Sequence, residues 1–175
     1  MKRELRIFLS ALSAGICIAL GGIVFLSLDN KVIGALCFTV GLFTICSFGL
    51  NLFTGKVCYV FDNDKTYAAN LIVIWLGNLA GTFLTAKLAG LTRIGVALST
   101  KAAELCRTKL SDSFVSLFVL GLLCNILIYI AVESFKNSKH DIGRYLGLFF
   151  GVVVFILSGF EHSVADMFSF PWRVC

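Results

Sequence analysis

Charged residues and proline are both scarce in this sequence. Only 14% of its 175 residues are Asp, Glu, Lys or Arg, and it contains a single proline. Soluble globular domains carry about 25% charged residues, so the composition excludes that class of protein. The sequence also lacks a basic patch of the kind that binds nucleic acid, and no nucleic-acid partner is expected.

Motifs for catalysis and metal binding are absent as well. We find no serine nucleophile elbow, HExxH motif or Walker loop, which would hold a nucleophile, a zinc ion or a nucleotide phosphate. The seven cysteines form no Cys-x-x-Cys pair and do not cluster with histidine at the spacing of zinc ligands. The sequence therefore predicts no metal, no cofactor and no enzyme activity.

Hydrophobic residues, in contrast, make up 58% of the chain, and the mean hydropathy is +0.93. Crossing about 30 Å of hydrocarbon takes roughly 20 apolar residues. Five stretches are long enough: 5–28, 32–61, 67–88, 114–135 and 143–168. A longer polar link, 90–113, separates the third from the fourth. These features predict one all-α, multi-pass domain over residues 1–175, with the lipid bilayer as its solvent.

The charges give weak information on orientation, because Lys and Arg divide almost evenly between the two sides. The first residues, MKRELR, are strongly basic, which favours a cytoplasmic N-terminus in the cell (inner) membrane. The apolar run that follows, to Leu28, is longer than a signal-peptide core and lacks an Ala-x-Ala cleavage site. We therefore expect it to be a retained helix.

Two of the five stretches are interrupted by glycine and polar residues. Residues 49–56 interrupt the second stretch, and residues 158–163 interrupt the fifth. A broken helix leaves backbone N–H and C=O groups unpaired, which is tolerated only where the break lines a cavity or is buried in protein. Two breaks at corresponding places in two halves of a chain are typical of a transport site. The sequence thus predicts a helical bundle with broken helices 2 and 5.

His162 is the strongest candidate for the substrate pathway. An imidazole at membrane depth can bind an anion or transfer a proton, although its hydrogen bonds can also be satisfied by neighbouring helices. Glu161 points about 100° away on a helix and need not pair with it. Thr54, in the other break, offers a hydroxyl donor, but a threonine beside a glycine is more often part of a turn or cap.

The remaining candidates flank the breaks. Lys109 would add positive charge to a vestibule, or is ordinary flanking charge at a helix end. Asn125 lies in the middle of the fourth stretch, where an amide usually bonds another helix and occasionally a broken backbone. Bulky apolar residues next to the breaks are candidates for a constriction that gates by dewetting, although ordinary packing is their commoner role: Phe38, Leu42, Phe53 and Phe155.

Four segments resemble motifs of the formate/nitrite transporter family and occur in that family's order. Residues 158–168, SGFEHSVADMF, resemble its fifth-helix signature, SGFEHS-(V/I)-ANMF. Residues 37–42 leading into 52–55 are similar to its second helix and loop. Residues 77–81 and 121–125 resemble its third and fourth helices. The resemblance implies an aquaporin-like fold of two inverted three-helix repeats and a homopentamer with one pore per subunit.

The family resemblance also implies roles for individual residues. His162 would be the central pore histidine, Thr54 the loop threonine and Lys109 the vestibule lysine, with Phe38, Leu42, Phe53 and Phe155 as constriction residues. The implied substrates are small monovalent anions of weak acids, namely formate, nitrite or hydrosulfide. Protonation near the histidine would let the anion cross as the neutral acid. Whether the ring donates the proton or relays one from water stays open.

Two features depart from the family pattern. Asp166 places a carboxylate where the signature has an amide, and it would repel anions, carry protons or contact a neighbouring helix. In addition, the sequence ends at Cys175, before the sixth helix that the family has, so five of six helices are expected. The alternative function is that of a truncated, non-conducting relative or membrane scaffold subunit.

Overall fold

The computed structural model describes the backbone of residues 2–174 and the side chains of residues 2–172. The described part of the chain forms seven α-helices joined by short connectors. They are α1 (Lys2–Ser27), α2 (Lys31–Phe48), α3 (Lys65–Gly90), α4 (Gly95–Ser111), α5 (Phe114–Asn137), α6 (Asp141–Leu157) and α7 (Ser163–Ser169). Short 3₁₀ helices cover Val57–Asp62 and Phe170–Val174.

The long helices match the apolar stretches of the sequence. Helices α1, α2, α3 and α5 are each long and apolar enough to cross a membrane. The stretch 32–61 is not one helix, because α2 ends at Phe48. The stretch 143–168 is likewise divided, into the 17-residue α6 and the 7-residue α7. The structure thus places both helix breaks within the segments where glycine and polar residues interrupt the apolar pattern.

Polar connectors start the membrane helices by capping them. The side chain of Asn30 accepts hydrogen bonds from the backbone N–H groups of Val32 and Ile33 at the start of α2. Asp64 and Ser113 cap α3 and α5 in the same way. A side-chain oxygen at this position satisfies N–H groups that have no partner within the helix.

Helix α4 lies in the link that the sequence analysis treated as a polar connector. Three of its buried residues, Leu98, Ala102 and Cys106, recur every four positions. Leu98 and Ala102 belong to a hydrophobic cluster that includes Trp172. Lys101, beside this buried face, forms an ion pair with Asp29 at 2.8 Å. The hydrogen bond and the positive charge of Lys101 lower the pKa of Asp29. The α1–α2 connector is thereby joined to α4.

The two halves of the bundle meet where α2 contacts α6 and where α3 contacts α7. Helix α1 packs against α2 and α3, and α5 packs against α6. The approach of α1 to α3 depends on glycine: a Cβ atom at Gly81 would lie 2.1 Å from the Leu12 carbonyl oxygen. Since the breaks directly follow α2 and α6, this arrangement brings them together in the interior.

Candidate functional site

Both breaks begin with the same backbone motif. Gly49 ends α2 with φ 63°, and Gly159 follows α6 with φ 72°. The next residue in each case bonds back to the last turn: Leu50 N–H donates to the Ile45 oxygen at 2.9 Å, and Phe160 N–H to the Phe155 oxygen at 3.0 Å. This is the hydrogen-bond pattern of a helix that ends at a left-handed glycine. The central helix of each half, α2 and α6, therefore ends with the same left-handed glycine motif.

Asn78 of α3 satisfies the backbone of the first break. Its amide nitrogen donates to the oxygens of Ala11 at 2.7 Å and Asn51 at 2.9 Å, and its amide oxygen accepts the Phe53 N–H at 2.8 Å. The side chain has no exposed surface. In hydrocarbon the Asn51 oxygen and the Phe53 N–H, which belong to the break, would otherwise lack partners. Sequence reasoning missed this role, although an amide in the middle of the apolar α3 was the available signal.

Asn125, for which a bond to a broken backbone was one sequence hypothesis, donates instead to the Cys58 sulfur at 2.9 Å. Cys58 belongs to the 3₁₀ helix Val57–Asp62 that follows the first break. Asn125 therefore connects α5 to this segment.

The second break places His162 against Thr54 of the first break. Nδ1 of His162 accepts the backbone N–H of Ala165 at 3.1 Å and so caps α7. Because this nitrogen is an acceptor, the proton of the neutral ring is on Nε2, which lies 3.1 Å from the Thr54 hydroxyl oxygen. Thr54 accepts that N–H, and its own O–H stays available to donate. Both side chains are at most 4% exposed.

Two cavities approach this contact from opposite ends of α2. The first vestibule, of about 250 Å³, is lined among others by Lys31, Phe38, Lys109, Phe155, Glu161, His162 and Asp166. The second vestibule, of about 120 Å³, is lined among others by Leu42, Leu52, Lys56, Val132, Phe135 and Lys136. Two lysines therefore line each vestibule. Apolar side chains separate the first vestibule from the second.

Three of the four predicted constriction residues lie at this separation. Phe38 lines the first vestibule and Leu42 the second, four residues apart on α2, which corresponds to about 6 Å along a helix. Phe155 contacts Phe38 edge-on, with ring centroids 6.2 Å apart, and stacks on His162 at 5.4 Å. Phe38, Leu42 and Phe155 are at most 5% exposed.

Phe53 lines neither vestibule. It borders a third, lateral cavity of about 370 Å³ between the breaks and α5, whose lining also includes Thr54, Asn125, Glu161 and His162. The pathway candidates thus fall on two sides of the Thr54–His162 contact, with Phe53 on the lateral side.

Lys109 of α4 is the centre of an ionic cluster in the first vestibule. Its ammonium group forms an ion pair with Glu161 and a second with Asp166, whose oxygen lies 2.9 Å away. The three side chains are only 16% to 20% exposed. Glu161 therefore pairs with Lys109 rather than with its neighbour His162. Asp166 reaches a neighbouring helix, one of the three readings that the sequence left open.

Comparisons with known proteins cover almost the whole chain. Residues 2–175 match the family model described as "Formate/nitrite transporter". The chain is 27% identical to the formate channel FocB of Escherichia coli (strain K12) and 28% identical to the formate channel FocA of Haemophilus influenzae. Each alignment covers 99% of this chain and 68% of the relative.

Solved structures give the same result for the fold. A pentameric formate channel with formate bound superposes with a TM-score of 0.84 at 28% identity, over 99% of this chain and 76% of that one. The prediction of an all-α, aquaporin-like bundle with two broken helices is thereby confirmed.

Proposed function

Because the chain belongs to the formate/nitrite transporter family, we propose that it is the protomer of a membrane channel for small monovalent anions of weak acids, such as formate, nitrite or hydrosulfide. The observation that carries this proposal is the Thr54–His162 contact of 3.1 Å, made where two broken helices meet between two vestibules. Irregular backbone at membrane depth is typical of substrate pathways in transport proteins.

The proposed mechanism starts in the vestibules. Lys31 on one side, and Lys56 and Lys136 on the other, raise the local concentration of anions. A hydrated ion would lose its water shell at the apolar constriction, which is costly for a charge. The anion of a weak acid avoids most of this cost by accepting a proton and crossing as the neutral acid.

Thr54 and His162 supply the polar groups next to the constriction. The free O–H of Thr54 donates to the substrate in place of water, and the His162 N–H holds the threonine oxygen in position. We place His162 in the proton step because it is the titratable ring at the meeting point of the breaks. Both a direct proton transfer and a relay through water are compatible with this geometry.

Assembly is part of the proposal. Many large apolar side chains are exposed on the surface of the single chain, among them Phe48, Ile72, Phe114, Phe118 and Phe150. Such surfaces require lipid or further copies of the chain as a neighbour. Since a superposable relative is a pentameric channel, we infer a homopentamer. Native mass spectrometry of the detergent-purified protein is expected to give a five-copy mass, and a stable monomer would contradict this part.

A liposome assay tests the function. Vesicles that contain the inserted oligomer are mixed rapidly with formate, nitrite or hydrosulfide, and the internal pH and vesicle volume are followed by stopped-flow optics. We expect flux well above that of empty vesicles for these anions and none for sulfate, a divalent control. If correctly inserted oligomers pass none of the three anions, the channel function is wrong and the non-conducting alternative is favoured.

A further inference from the structure

The charges of the first vestibule do not simply favour an anion, because its innermost lysine is paired twice. Lys109 binds Glu161 and Asp166 together, so the cluster carries one net negative charge when all three groups are ionised. The ammonium group has three N–H donors, of which two are directed at carboxylates. An anion that approaches His162 in this state meets a cluster with one net negative charge, which offsets the positive charge of Lys31, and a lysine with one donor to spare.

Asp166 forms an ion pair with one cation, Lys109, and lies in a largely apolar setting. Among described side chains, the charged or titratable groups around it are Lys109 from α4, Glu161 and His162 from the second break, Cys124 from α5, and Lys31 across the vestibule. Its other neighbours, from α3, are apolar and include Trp75, Leu79 and Phe83. One lysine therefore faces two carboxylates in a largely apolar setting, which favours binding of a proton to Asp166.

We propose that Asp166 links anion entry to protonation of the first vestibule. A proton from vestibule water forms an O–H bond on the Asp166 carboxylate, and the Lys109 N–H that was bonded to this carboxylate is released. The freed N–H then donates to the entering anion, and the cluster is neutral rather than negative. When the anion leaves the vestibule, the proton returns to water and the Lys109–Asp166 ion pair forms again.

This inference rests on the proposed function and assigns Asp166 as the residue that sets the pH dependence of anion entry. With Asp166 ionised, anion entry is disfavoured, and the vestibule admits anions efficiently only below the pH at which the cluster takes up its proton. An amide at this position carries no charge and binds no proton, and its neutral oxygen holds the Lys109 N–H more weakly than a carboxylate does, so that an entering anion can take its place. Asp166→Asn therefore mimics the protonated state at every pH.

The experiment compares formate flux into liposomes over a pH series for the unmodified chain, Asp166→Asn and a matched control. Glu104→Gln is the control, because Glu104 is an exposed acid on the same helix as Lys109. At neutral pH we expect the flux of Asp166→Asn to exceed that of the unmodified chain by about tenfold, or ~1.4 kcal/mol. The excess should disappear at acidic pH, and Glu104→Gln should follow the unmodified profile.

A flux profile of Asp166→Asn that coincides with the unmodified one overturns the inference and leaves the channel function intact. If none of the proteins passes formate, the proposed channel function is wrong. Infrared difference spectroscopy then tests separately whether Asp166 takes up a proton. A carboxyl band that titrates in the unmodified chain and is missing in Asp166→Asn supports the inference, and its presence in both overturns it. Asp166→Ser replaces Asp166→Asn in both measurements if the latter does not fold.

Discussion

His162 performs two tasks through its two ring nitrogens, and substitutions can separate them. Nδ1 caps α7, and Nε2 contacts Thr54. His162→Phe retains a ring that can stack on Phe155 but removes both nitrogens. We expect formate flux in liposomes to fall by about tenfold, because Thr54 loses the N–H that positions its hydroxyl for the substrate, and we expect its pH dependence to change.

The control for this prediction is His140→Phe, at an exposed position in the α5–α6 connector, which should retain the original flux and pH profile. His162→Asn keeps a side-chain acceptor for the start of α7 and thus tests the proton role without loss of the cap. If the pH profile is unchanged in both His162 variants, the histidine has no part in the proton step.

Asn78 contributes to stability rather than to chemistry. Asn78→Leu has a similar volume but leaves the Phe53 N–H and two carbonyl oxygens without their partner. We expect the free energy of unfolding in detergent to drop by ~3 kcal/mol, since each buried unpaired group costs about 1 to 3 kcal/mol. Asn125→Leu, which loses the single bond to Cys58, should cost clearly less. Equal losses for the two variants would contradict this role of Asn78.

Sequence reasoning identified the polar residues of the site more readily than their partners. His162 and Thr54 were predicted from the two breaks, and the structure brings them within hydrogen-bond distance. The pairing of Lys109 with Asp166 was not foreseen, because it depends on how α4 folds back over the second break. Spacing along a sequence carries no information on such a distant contact.

At the scale of helices, the breaks were predictable and α4 was not recognised. Left-handed glycines have a local signature, and Gly49 and Gly159 both interrupt apolar runs. Helix α4 is too polar to resemble a membrane span, so a search for apolar stretches overlooks it. The four-residue spacing of Leu98, Ala102 and Cys106 was the signal that could have identified it.

The contact between α1 and α3 leads to a prediction about how closely these two helices must pack. Gly81→Ala would place a methyl group 2.1 Å from the Leu12 carbonyl oxygen, which forces the two helices apart. We expect a loss of about 1 to 3 kcal/mol in unfolding free energy, the usual cost of overpacking. Gly121→Ala on α5 is the control, because its nearest neighbour is 3.8 Å away. Equal melting temperatures for the two variants would show that α1 and α3 can separate without cost.

At the scale of the whole molecule, the two vestibules define two sides. Lys31 and Lys109 line the first vestibule, and Lys56 and Lys136 line the second. With a cytoplasmic N-terminus, as the basic first residues predict, the first vestibule opens to the outside. Asp166 would then respond to the external pH, and the second vestibule would face the cytoplasm.

Protease sites inserted into two connectors test this orientation. A site between Lys139 and His140, in the α5–α6 connector, should be cut only in inside-out membrane vesicles. A site next to Arg93, between α3 and α4, should be cut only in right-side-out vesicles, with uncut parent protein as the control for leakage. The reverse pattern would place the N-terminus outside and the Lys109–Glu161–Asp166 cluster on the cytoplasmic side. Acidifying the cytoplasm, rather than the external medium, would then be the condition that admits anions to the first vestibule.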